Sequence, residues 1–387
     1  MRPTSTTSAD ERTGAVLTVD LAAVAENWRI LKRKAAPGCE VGGVVKADAY
    51  GVGMVPVAKA LQDAGCGTFF VAHLDEGIAL RAALGEAPRI VVMHGPNKGT
   101  ERDFAAFRLL PVLSTPGQIE RWRTFAETND ILMESLVQID TGMNRLGLTQ
   151  REFEKLMGDP AGFLGLYPLA LMSHLACADE PQHPMNRQQL LKFRSALETF
   201  RGKFPDAKGS FANSSGLFLG PEYHYHFARP GVALYGANPV PGQPNPMIPV
   251  VRLKAKILQV RRVDAAAPVG YGASSMAPDG AKLATVSIGY ADGLRRALSN
   301  RGHGFIDGIR VPIMGRVSMD MTVFDVSDVP ESSLGPGATV ELLGTEQSVD
   351  DLATSAGTIS YEILTSLGHR YMRQYLGARP SAPGPKA

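Results

Sequence analysis

Between residues 20 and 240 the hydrophobic pattern switches repeatedly between two periods. "LAAVAENWRILKRKA" (21–35) places apolar residues every three or four positions, which predicts an amphipathic helix. Short apolar, β-branched runs follow: "VGGVVK" (41–46), "TFFVA" (68–72), "RIVVM" (89–93), "LLPVL" (109–113), "LVQID" (136–140), "LALMSHL" (169–175), "GSFAN" (209–213) and "HFARPGVALY" (226–235). Helical periodicity returns between them, as in "MVPVAKALQDAG", "LDEGIALRAAL", "PGQIERWRTFAE" and "NRQQLLKFRSALETF". Eight strand candidates alternating with helices over about 220 residues match the repeat and size of a (β/α)8 barrel. An open, doubly wound parallel sheet shows the same alternation, and periodicity alone does not separate the two.

Near residue 238 the texture changes at a proline-rich stretch, "NPVPGQPNPMIP". Beyond it, "VRLKAKILQVRRV", "KLATVSIGY", "GIRVPIMGRVSMDMTVFDV" and "ATVELLG" alternate with period two between Gly/Asp turns. This predicts a second, mainly β domain, with one late helix over "VDDLATSAGTISYEILTSL".

Composition narrows the function classes. The chain has 387 residues and a formal net charge of +2, so no strong field draws it to nucleic acid or an anionic membrane. No apolar run approaches the roughly 18 residues a membrane span requires. The start, "MRPTSTTSADERTG", lacks an apolar core and carries two acids, so it reads as a frayed tail rather than a secretory signal, as does the end, "GARPSAPGPKA". Cys39, Cys66 and Cys177 are odd in number and lack CxxC spacing; they fit bystander thiols in a reducing compartment, the cytoplasm by default. No metal site is expected.

Active sites of parallel α/β folds lie at the C-terminal ends of the strands. Five runs end in or near polar groups: Lys46, "DTGMNRLG" (140–147), "SHLACADE" (173–180), "NSSG" (213–216) and "ARPG" (228–231). Five separate segments converging on one face favour a site over chance, and favour the barrel. A lysine at such a mouth has its ammonium destabilised and is disposed to form a Schiff base. A bare "VVK" would more often be a lysine snorkelling to solvent. In "KADAYG", small Ala47 and Ala49 leave room, Tyr50 supplies a phenol and Gly51 lets backbone approach a ligand.

"VVKADAYGVG" resembles the pyridoxal-phosphate lysine motif of the alanine racemase family, and the resemblance extends through "DTGMNRLG", "MSHLACADE", "ANSSG", "ARPGVALYG", "GYG", "SIGYADG", "GRVSMDM" and "ISYE", in family order over nearly the whole chain. It implies a pyridoxal-phosphate-binding barrel over 14–240, whose first strand docks on the β domain, a β domain over 241–377, and tails at 1–13 and 378–387. Lys46 is then both the cofactor lysine and one catalytic base. Tyr50, Ser214, the Gly231 N–H and Tyr361 hold the cofactor phosphate, and Asn213 also binds the cofactor. Arg229 faces the pyridine nitrogen, and since arginine only donates, that nitrogen stays unprotonated. Arg145 meets the substrate carboxylate with its guanidinium fork.

Tyr271 in "VGYGASS" resembles the second base, serving the L-isomer while Lys46 serves the D-isomer. Racemisation at Cα needs a proton taken from one face and delivered to the other, which two opposed groups provide. A tyrosine, with a pKa of about 10, is a weak base unaided, and His174 is the implied helper, bonded to Tyr271 and Arg229. The other seven histidines read as structural or surface residues. Tyr271, Met319 and Asp320 lie in the second domain; in the family such residues reach the partner's barrel mouth, which implies a homodimer with shared sites.

Three residues depart from the family pattern. Val52 stands where a histidine is common. Gln138 replaces a lysine that many members carbamylate, which predicts a neutral amide bond or another partner for Arg145. Ser318 replaces a frequent cysteine. The implied activity is interconversion of L- and D-alanine, supplying D-alanine for peptidoglycan. Alternatives are a racemase accepting serine and a barrel-type pyridoxal-phosphate decarboxylase, which would set a carboxylate, not Arg229, against the ring nitrogen. A barrel-only cofactor-handling protein lacks a use for the β domain, and an NAD protein would require a GxGxxG that is absent after any strand run.

Overall fold

A computed structural model describes residues 12–377. The tails expected at 1–13 and 378–387 lie outside these residues except for Arg12 and Thr13.

The barrel is built from parallel strands taken in chain order. Gly43–Val44 pairs with Thr68–Val71, and then Arg89–Val92, Leu110–Leu113, Met133–Gln138, Leu166–Met172, Lys208–Ser210 and Phe227–Ala228 follow side by side. Phe227–Ala228 returns to Glu40–Val41, so the sheet's two ends are halves of one stretch, 40–44, interrupted at Gly42. The barrel therefore closes on itself. A side chain at Gly42 would meet the Phe70 ring at 2.6 Å and the Thr68 carbonyl at 2.9 Å, so the closing seam has room for glycine only. This arrangement is a (β/α)8 barrel with a mainly β C-terminal domain, and it excludes the open sheet.

The helices between strands start where capping residues stand. Asp20 accepts from the Ala23 N–H ahead of Leu21–Lys34, Thr115 from Gln118 ahead of Pro116–Asn129, and Thr149 with Glu152 forms a capping box ahead of Gln150–Gly158. Leu21–Lys34 turns Leu21, Val24, Trp28 and Leu31 inward and seals the barrel with a Trp28 Nε1–H bond to the Val41 carbonyl (2.9 Å). Each such fully buried aliphatic side chain contributes about 1.5–3 kcal/mol.

The main sheet of the second domain is ordered Ile309–Pro312, His303–Ile306, Thr339–Leu343, Val251–Arg262, Ala15–Asp20 and Met372–Leu376, with Lys282–Val286 and Thr322–Asp325 branching from Val251–Arg262, and Ala267–Pro268 pairs with Met276–Ala277 in a separate two-stranded sheet. The strand Ala15–Asp20, first in the chain, is thus enclosed between Val251–Arg262 (antiparallel) and Met372–Leu376 (parallel).

Two elements are shorter than their sequence patterns. "HFARPGVALY" is a strand only at Phe227–Ala228, because Pro230 has no N–H for the ladder and a 3₁₀ turn follows at Val232–Tyr235. The late helix is two, Val349–Ala356 and Ser360–Thr365, split where Gly357 adopts φ +67°. No helix among the described residues is long and apolar enough to cross a membrane.

Candidate active site

The first barrel strand stops at Val44, and Lys46 opens a turn rather than ending a strand. Ala47, Asp48, Ala49 and Tyr50 all take φ between 52° and 56°, a left-handed turn without a single glycine. Such a conformation costs an L-residue about 1–2 kcal/mol each, so the surroundings must hold it. On one side Glu76 accepts the N–H groups of Ala47 (2.6 Å), Ala72 (2.8 Å) and His73 (3.0 Å). The turn directs Lys46 and Tyr50 to the same side, into the barrel mouth.

There a cavity of about 650 Å³ is lined by Lys46, Tyr50, Arg145, His174, Asn213, Ser214, Arg229, Gly231 and Tyr361, all singled out by sequence motifs. Its wall also includes Gln138, Met93 and His94, but no Asp or Glu. Burial lowers the basicity of Lys46, and the Arg145 cation lowers it further, while Glu76 opposes them. Burial, then the cations of Arg229, Arg145 and Lys46, push His174 down to about 3, so its ring is neutral. Arg229 is fully enclosed; burial lowers it to about 10, and it remains protonated at neutral pH.

Arg229 has no carboxylate partner among the described residues. Its Nη1 donates to Ser210 Oγ (2.5 Å), and its Nη2 to the Ser173 carbonyl (2.7 Å) and more weakly to Phe211 (3.5 Å). The expected bond between Arg229 and His174 is not formed: the Nη groups of the guanidinium turn to this hydroxyl and these carbonyls. Opposite it, Ser214 Oγ accepts from the Gly231 N–H (2.9 Å) and the Ala233 N–H (3.3 Å), while Asn213 Oδ1 caps the Gly216 N–H (2.8 Å). A side chain at Gly231 would meet Tyr50 Oη at 2.2 Å, so glycine alone lets phenol and backbone N–H come together. Tyr50 packs between Tyr235 (4.8 Å) and Tyr361 (5.9 Å), and burial raises the hydroxyls of both Tyr50 and Tyr361, the latter to about 12, which keeps them donors. A lysine of lowered basicity, the hydroxyl donors of Tyr50, Ser214 and Tyr361 and an acid-free wall fit a cofactor with an aldehyde and a phosphate dianion.

Three residues singled out by sequence stand elsewhere. Tyr271 is 72% exposed, Met319 is 53% exposed, and neither lines the cavity. Asp320 accepts from Arg370 Nη1 (2.7 Å), whose Nε and Nη2 grip buried Asp292 (2.6 and 3.1 Å). Gln138 Nε2 donates to the Leu146 carbonyl (3.1 Å), and the expected bond from Arg145 to the Gln138 amide oxygen is not formed. His94, grouped in sequence with structural histidines, lines the cavity and meets His73 edge-on at 4.6 Å. Its position just past "RIVVM" was the available signal. The thiols of Cys39, Cys66 and Cys177 are free, and burial raises the first two to about 11 and about 12. Among the described residues no three His, Cys, Asp or Glu side chains converge on a metal site.

Fold and site together define a barrel enzyme whose mouth fits an aldehyde cofactor. The family models "Alanine racemase, N-terminal domain" and "Alanine racemase, C-terminal domain" match residues 19–239 and 250–375. The chain belongs to the alanine racemase family, which depends on pyridoxal phosphate. It is 49% identical to a Rhodospirillum rubrum protein named alanine racemase, over 96% of this chain and 98% of that one. It is 50% identical to a Mesorhizobium japonicum protein named catabolic alanine racemase, over 94% of each. The solved alanine racemase from Bartonella henselae, with covalently bound pyridoxal phosphate, superposes with a TM-score of 0.88 at 40% identity, covering 94% of this chain and 99% of its own.

Proposed function

We propose that the chain racemises alanine, with Lys46 of one subunit and Tyr271 of a second moving protons at opposite faces of the substrate Cα. The observation that carries this reading is the cavity wall: three cations, Lys46, Arg145 and Arg229, with no acid. Such a wall suits a dianionic cofactor and the carboxylate of an amino acid together. Pyridoxal phosphate, when bound there, supplies a carbonyl for attachment and a conjugated ring that withdraws electrons from Cα.

The chain's own groups divide the remaining work. Lys46 Nζ, its ammonium disfavoured by burial and by Arg145, gives up its proton more readily than a surface lysine and so stands closer to the free amine a base requires. Arg145 offers its fork to the substrate carboxylate. Arg229 is protonated and donates only, so it delivers no proton to a group set against it and supplies none of the acid function a decarboxylase site would use. Tyr50, Ser214, Gly231 and Tyr361 hold the phosphate, and Asn213 also binds the cofactor. His174, Asp320 and Met319 support and shape the site.

The exposure of Tyr271 and Met319 supports a homodimer in which the β domain, 241–377, completes the site of the neighbouring barrel, 14–240. In a single chain the second base has no substrate to act on. The relatives include a catabolic racemase as well as one named without qualification, at nearly equal identity, so the reaction and not its metabolic direction is what they support.

The test is direct. Borohydride treatment of the holoenzyme should fix the cofactor to Lys46, read by peptide mass, and L-alanine should convert to D-alanine until the two are equal. Labelling at a different lysine, or no conversion, overturns the reading.

A further inference from the structure

The left-handed turn 47–50 is gripped on its second side by a part of the chain remote from it in sequence. Arg373, on the strand Met372–Leu376, donates from Nη1 to the Gly51 carbonyl (2.7 Å) and from Nη2 to the Gly368 carbonyl (3.1 Å). Its side chain is only 16% exposed, and the Asp48 carboxylate stands 3.9 Å away. Asp48 in turn accepts the Met54 N–H (2.8 Å), fixing where the next helix begins. Two residues further along the same strand, Tyr375 Oη donates to the Val52 carbonyl (3.1 Å). The fit leaves no slack: a side chain at Gly51 would meet the Leu364 carbonyl at 2.4 Å, and one at Gly53 would meet Tyr375 Oη at 2.1 Å.

We propose that Arg373 and Tyr375 are positioning residues for Lys46. They hold the carbonyls of Gly51 and Val52 and so keep the turn wound, which keeps Lys46 and Tyr50 aimed into the cavity. The idea rests on Lys46 being the cofactor lysine. Four non-glycine residues in a disfavoured conformation persist only where the surroundings over-determine them. Glu76 grips the start of the turn and the C-terminal strand grips its end. Released at one end, the turn has a lower-energy right-handed alternative, and the lysine leaves its place. The C-terminal strand thereby reaches the chemistry without touching substrate or cofactor.

The variants are Arg373→Met, Arg373→Lys and Tyr375→Phe in the full-length holoenzyme, with Arg123→Met on an exposed helix as control. Cofactor loss on dialysis, the visible band of the lysine-bound cofactor against pH, and kcat and KM are measured. Arg373→Met should release cofactor about tenfold faster or more and lower kcat about tenfold, with KM within about threefold, as a misplaced reacting group does. The pH midpoint of the band should move. Arg373→Lys should recover part of each effect, because one donor still reaches Gly51. Tyr375→Phe, which removes one hydroxyl and is the milder change, should show the same pattern at about two- to fivefold. If Arg373→Met does not fold, Tyr375→Phe decides. Folded variants with parental band, cofactor half-life and kcat overturn the proposal, provided the parent is labelled at Lys46. A parent not labelled there overturns the reading of Lys46 instead.

Discussion

At the barrel mouth Arg229 is enclosed and Lys46 and His174 are half-buried, and burial has moved the proton affinity of all three downward. At the tip of the β domain Tyr271, Met319 and Asp320 stand in solvent, the last tied to Arg370. One region has its chemistry set by its own fold. The other has reactive groups in place with nothing to enclose them. On the proposed dimeric reading, one chain carries a full set of reactive residues but an incomplete site, because desolvation, not residue identity, makes an amine or phenol useful.

Mixing two dead variants tests this contrast most sharply. Lys46→Ala and Tyr271→Phe should each lose nearly all racemisation. Unfolded and refolded together, they should regain about a quarter of parental activity, because half the dimers are mixed and each carries one intact site. A mixture that stays inactive while forming mixed dimers would show that each site is built within one chain.

A smaller effect probes the electrostatics of the enclosed half. The Arg145 cation lowers Lys46, so Arg145→Met should move the pH midpoint for chemical labelling of Lys46 in the cofactor-free protein to higher pH. A midpoint that stays or falls contradicts the coupling.

The smallest effect concerns stability. His174 lies at about 3 in the folded chain against an ordinary 6.5, so between those values the unfolded chain binds the extra proton. The stability from keeping this ring neutral is complete above pH 6.5 and is lost as pH falls toward 3. His174→Gln should flatten the acid limb of unfolding free energy by up to one proton, about 1.4 kcal/mol per pH unit. An unchanged slope would remove His174 from the acid response.

Much of this was legible in the sequence because it is local or repeated. The alternation of short β-branched runs with helices narrows the fold to a barrel or an open parallel sheet, and the strand-end motifs point to the residues around the cavity. The left-handed turn was not legible. Ala47, Asp48, Ala49 and Tyr50 contain no glycine to announce it, and its restraint comes from Glu76, Arg373 and Tyr375, distant in sequence. His94 was missed for a related reason: a residue one step past a strand run faces either the mouth or a helix, and only the closed barrel decides. The break at Gly357 was readable, since a glycine after a helical run is a common stop.

The placement of Ala15–Asp20 has a consequence for how the molecule is made. The strand is synthesised long before its two neighbours, Val251–Arg262 and Met372–Leu376. At about 5–20 residues per second it waits on the order of ten seconds or more for the first of them. Meanwhile the barrel can close behind it, leaving Leu17 and Val19, fully buried in the finished protein, without cover. The nascent chain therefore carries a sticky strand until Val251–Arg262 and then Met372–Leu376 are made and close over it.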